Sequence, residues 1–154
     1  MLALALCAGG VVGCAPASTP EQQVRDVIAA GEAAAESRDH RALMALVSQD
    51  FTDSQGGDVA SVSQHLRAYL MAHPGLRLAT RIDRVKFPYD DMAQVRMTLG
   101  TMAGGTDDRV AGETEAAAAR LDLAANLHSI ELELQREGDD WKVTRADWDS
   151  LVGS

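Results

Sequence analysis

Leu132-Glu133-Leu134-Gln135-Arg136-Glu137-Gly138-Asp139-Asp140-Trp141-Lys142-Val143 is the stretch that decides how this 154-residue chain is read. Leu132 and Leu134 alternate with charged residues, the period-two pattern of a strand with one buried face. Ile130 and His128 extend that pattern backwards on the same parity. Gly138-Asp139-Asp140 is a tight-turn sequence, and Trp141 to Trp148 reads as the returning strand. The chain therefore closes on an antiparallel hairpin.

Upstream, Leu76, Leu78, Thr80 and Ile82 alternate, and Val85 and Phe87 fall out of step, so a bulge is expected near Asp83. Pro88 to Asp91 reads as a turn into a strand with Ala93, Val95, Met97, Leu99 and Thr101 on its inward face. A Gly-, Asp- and Glu-rich linker runs from Gly104 to about Glu115. After it Leu123, Ala125 and Leu127 alternate on one parity and His128 onward on the other, which asks for a second bulge.

Before Pro74-Gly75 the period is helical. Thr19 caps, Pro20 suits the first helical position, and Gln22 sits where a capping-box partner belongs. Val24, Val27, Ile28, Gly31 and Ala35 recur at helical spacing to about Arg38, with Arg25, Asp26 and Glu32 facing away. Asp39 caps a shorter helix with Leu43, Leu46 and Val47 on its apolar face, ending near Ser48. Asp50 to Asp58 reads as a polar loop with at most a short strand around Phe51. Ser61 and Gln64 form a capping box for a third helix striped by Val62, Leu66, Tyr69 and Leu70. Helices followed by bulged strands make this an α+β chain.

The first thirteen residues, Met1 to Gly13, are apolar and uncharged, too short to span a bilayer as a permanent helix and suited to a signal peptide. Val11-Val12-Gly13-Cys14 resembles a lipobox. Residues 1–13 are therefore expected to be a lipoprotein leader, 14–19 a tether acylated on Cys14, and 20–154 one domain. The lipoprotein resemblance implies anchoring in the cell envelope through palmitate-type chains, at the outer membrane facing the periplasm if the host has two membranes. Cys7 lies in the leader, so the domain has no thiol for a disulfide or a thiolate metal site. No Lys, Arg, Asp or Glu precedes Glu21, so the formal net charge of -9 belongs to the domain, and it makes nucleic acid a poor partner: none is expected.

Three helices ahead of a meander of long strands resemble the nuclear transport factor 2-like superfamily, which includes the SnoaL-like proteins. The resemblance covers about Pro20 to Trp148. It rests on the opening helix, on Leu43-Met44-Ala45-Leu46-Val47-Ser48-Gln49-Asp50-Phe51, and on the closing hairpin with its aromatic Trp141 after a Gly/Asp turn. It implies a cone-shaped α+β fold, three N-terminal helices packed in a curved antiparallel sheet of four or more strands. Members use the open end of the cone for isomerase, dehydratase or cyclase chemistry, for ligand binding, or not at all, and some pair through the outer sheet face.

The candidate site follows from strand parity. His128 shares the face of Ile130, Leu132 and Leu134, and Arg145 and Asp147 share that of Trp141 and Val143 unless a bulge intervenes. A His and an Asp within reach make a proton-transfer pair, which makes His128 and Asp147 the catalytic candidates. Tyr69, His128, Arg145 and Trp148 are the candidate ligand contacts, Arg145 as an anion holder and Tyr69 as a hydroxyl donor. The bland alternatives stand beside these: a rim histidine, a structural Arg145–Asp147 ion pair, a core Tyr69 and tryptophans that only pack. His40, His65 and His73 show no metal-ligand spacing, and no nucleophile elbow, phosphate loop or cofactor motif occurs. The sequence thus favours a non-enzymatic, membrane-tethered domain for a small apolar or amphipathic ligand or a protein partner. A His/Asp lyase or isomerase and a structural envelope homodimer are the alternatives.

Overall fold

The computed structural model describes residues 18–103 and 127–150. The leader, Cys14, the Gly104 to Glu115 linker and the Leu123 to Ala125 alternation lie outside them. Helix α1 (Pro20–Glu36) leads to α2 (His40–Ala45), β1 (Val47–Asp53) and α3 (Val59–Ala72). Strands β2 (Leu76–Tyr89), β3 (Met92–Ala103), β4 (Leu127–Glu137) and β5 (Asp140–Ser150) follow. The five strands form one sheet in the order β1-β5-β4-β3-β2. It is antiparallel except at one edge, where β1 runs parallel to β5.

Thr19 caps α1 as expected, its hydroxyl accepting from the Gln22 N–H at 3.2 Å. Gln22 does not complete a capping box, because its amide reaches forward to Asp26. α1 ends two residues short of Arg38 in a Schellman closure: the Arg38 N–H meets the Ala35 carbonyl, and the Asp39 N–H meets that of Ala34. Arg38 itself takes the left-handed conformation at φ 58. For a residue with a Cβ this costs about 1–2 kcal/mol.

Two expected boundaries are corrected. Val47 and Ser48 belong to β1 and not to α2, since the Val143 N–H donates to the Leu46 carbonyl and draws the chain onto the sheet edge. The strand thought to be confined to the surroundings of Phe51 is therefore seven residues long. The cap of α3 is Asp58, three residues before the expected Ser61. Its carboxylate accepts from both the Ser61 N–H and the Ser61 hydroxyl at 2.9 Å. A charged acceptor outcompetes a hydroxyl for the free N–H groups of a helix start. The carboxyl of Asp58 is held below its ordinary range mainly by that backbone hydrogen bond.

The core lies between α1 and the concave face of the sheet. Val24 and Ile28 pack on Ala93, Val95, Met97, Leu134 and Trp141, all buried. A smaller cluster of Ala35, Leu70 and Leu76 joins α1, α3 and the start of β2. Register fixes which side chains share the concave face: Ala93 opposes Leu134, Val95 opposes Leu132, Met97 opposes Ile130 and Leu99 opposes His128. The bulge expected near Asp83 is present between Ile82 and Arg84, and it returns Val85 to the core side.

Candidate functional site

The concave face has a filled end and an open end. At the filled end the Gln23 side chain accepts from the Trp141 indole N–H at 3.1 Å, Phe87 meets that indole edge-on, and the Arg136 guanidinium lies 4.9 Å from its centroid. Toward the other end α1 carries Glu32 and Glu36. Glu32 accepts from the Thr80 hydroxyl at 2.6 Å, and Glu36 accepts from the Leu78 N–H at 2.8 Å. Thr80, Leu99 and His128 follow one another across β2, β3 and β4 on the same rung.

β5 holds the decisive irregularity. Leu134 pairs with Val143 and Glu133 with Arg145, so Thr144 is an extra residue in the ladder. One inserted residue reverses the facing of everything beyond it. Ala146 then opposes Leu132 and Trp148 opposes Ile130, both on the concave face. Arg145 and Asp147 instead oppose Glu133 and Glu131 on the convex face.

This corrects the expected constellation. His128 sits on the concave face at the open end as read from the sequence, while Asp147 is on the other side of the sheet, so no His128–Asp147 proton-transfer pair forms. Arg145 leaves with Asp147 and forms with it the ion pair that the bland reading offered, Nε to Oδ2 at 2.9 Å. That contact holds the Asp147 carboxyl below its usual range and raises Arg145 further. Ser54 adds a smaller lowering influence, though Oδ1 is shielded from solvent and no hydrogen bond of ordinary geometry reaches it among the described residues.

The same bulge brings Trp148, a candidate ligand contact, beside His128: the two occupy neighbouring positions on β4 and β5, one rung apart on the concave face. Trp148 is 50% exposed. Tyr69 is not brought to them. It is 40% exposed on α3 and stacks on His73 with centroids 4.2 Å apart.

Glu32 is the residue that sequence reasoning placed wrongly, on the solvent side of α1. The signal available was Ile28 four residues before it, which puts Glu32 on the same helical stripe. The mouth therefore presents an indole, an imidazole, a leucine and a carboxylate already holding a hydroxyl. Strand spacing puts the Thr80 and His128 backbones about 10 Å apart, with Leu99 on the strand between them. Among the described residues no group of His, Cys, Asp and Glu is placed to hold a metal.

The convex face carries a different pattern. Arg84, Arg96, Glu131 and Asp147 lie on one rung, and Lys86, Gln94, Glu133 and Arg145 on the next. All of them except Arg145 border a groove of about 180 Å³. Arg96 binds Glu131 through Nε at 2.7 Å, and Gln94 binds Glu133. Arg96 with Glu131 and Arg145 with Asp147 form ion pairs, whereas Arg84 and Lys86 form none among the described residues.

A long helix packed in a curved, mostly antiparallel sheet places the chain in a class of α+β folds. No family model matches this chain, and no curated protein matches it in sequence. Solved structures do match. An NTF-2 like protein of unknown function from Shewanella oneidensis superposes with a TM-score of 0.59 at 16% identity, covering 84% of this chain and 98% of that one. Aln2 from a Streptomyces species gives 0.65 at 12% identity over 86% and 93% of the two chains. The hexachlorocyclohexane dehydrochlorinase LinA-type3 of Novosphingobium barchaimii gives 0.61 at 10% identity over 86% of each. The chain has the nuclear transport factor 2-like fold. Identities this low speak for the fold alone, and a fold does not set the chemistry.

Proposed function

We propose that the domain binds a small apolar or amphipathic ligand at the mouth of the cone, without catalysis, while a lipid on Cys14 tethers it to a membrane of the cell envelope. One observation carries the binding reading: Trp148 is half exposed on the concave face beside His128, where an unliganded indole leaves apolar area in water. Ile130 opposite Trp148 and Leu99 opposite His128 supply apolar contact, and His128 with the Glu32–Thr80 pair supplies polar recognition. Few polar groups around an apolar floor is the ordinary make-up of a small-molecule site. The lipobox-like Val11-Val12-Gly13-Cys14 supports the tether, and no helix among the described residues is long and apolar enough to cross a membrane.

Native mass spectrometry of the protein purified from its own host tests the binding reading. A retained small molecule, lost in Trp148→Ala, is the expected result; a wild-type spectrum free of ligand argues against it. Glu32 and His128 at one mouth support a second reading, general acid/base chemistry on the bound molecule. Recovery of the retained ligand in altered form after incubation, abolished by His128→Ala, would favour that reading over simple binding.

A further inference from the structure

A second concavity, of about 290 Å³, opens among the helices and is lined by Ser37, Arg38, His40, Arg67, Leu70 and Met71. Its lining combines two guanidiniums and an imidazole with apolar surface and contains no carboxylate. That is out of keeping with a chain of net charge -9. Neither Arg38 nor Arg67 takes part in an ion pair among the described residues. The nearest acid in sequence, Asp39, is engaged in accepting the Ala42 N–H at 2.9 Å. Met71 is 77% exposed, and Leu70 beneath it is buried in the cluster with Ala35 and Leu76. The His40 ring is fixed at the wall by donating Nε2–H to the Ser63 carbonyl, which can only accept, at 2.9 Å.

Backbone conformation supplies an independent observation. Arg38 is the one non-glycine residue with positive φ among the described residues, and it occupies the position after α1 where glycine closes a Schellman motif without strain. A strained residue is kept where its side chain serves something that the strainless one does not. Here that side chain lines the groove.

We propose that this groove binds a single anionic amphiphile, its head held between Arg38 and Arg67 and the first part of its alkyl chain laid over Leu70 and Met71. Guanidinium groups suit a carboxylate or phosphate head because their donors are planar and paired. A recess of about 290 Å³ takes one such molecule. The site is separate from the mouth and stands whether or not a ligand binds there.

Decanoate titrated into the ¹⁵N-labelled full chain, read by amide chemical shifts, tests it. The amides from Ser37 to Arg41 and from Arg67 to Met71 move, whereas acetate, without a tail, and decanol, without a charge, leave them in place. Arg38→Gly weakens decanoate binding about tenfold or more while raising the melting temperature, since the strain is relieved. Arg67→Gln weakens binding similarly without that rise, and Trp148→Phe leaves it unchanged. Unaltered affinity in both arginine variants, equal shifts with decanol, shifts confined to His128 and Trp148, or association only with phosphatidylglycerol vesicles would each overturn the proposal.

Discussion

Asp147 and Trp148 are adjacent in sequence and reach opposite faces of the sheet, which puts the Arg145–Asp147 ion pair on the convex face and the indole at the mouth. For Asp147 the Arg145 contact comes first in lowering its carboxyl below the ordinary value of 3.8. A depressed folded value means stability that is present above the unfolded pKa and lost as pH falls through the folded one. Arg145→Gln should therefore lower the urea midpoint at pH 7, and the gap to wild type should narrow as the pH falls below 3.8 and the native Asp147 takes up its proton. A constant gap across that range would show that the pair contributes nothing through charge. His128 was placed correctly from alternation because no irregularity lies between it and Leu132. Arg145 and Asp147 were not, since one extra residue in a polar-apolar strand leaves the composition unchanged and inverts the facing. Glu32 escaped for another reason: its partner, the Thr80 hydroxyl, is 48 positions away, and only tertiary packing brings them together.

The elements divide by how local their determinants are. Turn and cap chemistry acts within a few residues, so the Thr19 and Asp39 caps and the β4–β5 turn were legible. Gly138 sits in that turn at φ 65 with nothing within 4 Å of where a Cβ would be, so its requirement is conformational and not steric. Gly138→Ala should accordingly destabilise the fold by about 1–2 kcal/mol, the cost of a left-handed residue with a side chain. Denaturant unfolding checks this, and an unchanged midpoint would mean that the turn relaxes to another type. β1 was largely illegible because it is an edge strand whose alternation is weak: Ser48 is buried and donates its hydroxyl to Glu137, while Gln49 and Asp50 are exposed in succession. Its strand state comes from pairing with β5, a contact that no local pattern encodes.

At the scale of the whole molecule, α1 acts as a ruler between the tether and the mouth. Its first turn is fixed at the filled end of the cone through Gln23 and Trp141, and Glu32 near its end reaches the rung of Thr80, Leu99 and His128. Seventeen helical residues span about 25 Å. The proposed tether of six residues reaches at most about 20 Å even when fully extended. An acyl chain on Cys14 would thus hold the filled end toward the bilayer and leave the mouth facing away, open to ligands from the aqueous side. Two measurements on cells and vesicles check this arrangement. Clickable palmitate should label the wild-type protein and not Cys14→Ser. In vesicles containing brominated lipids, the part of the fluorescence lost in Trp148→Phe should resist quenching by the lipid yet yield to aqueous iodide. Strong quenching of that component by brominated chains would turn the molecule over, with the mouth against the membrane and its ligand drawn from the lipid phase.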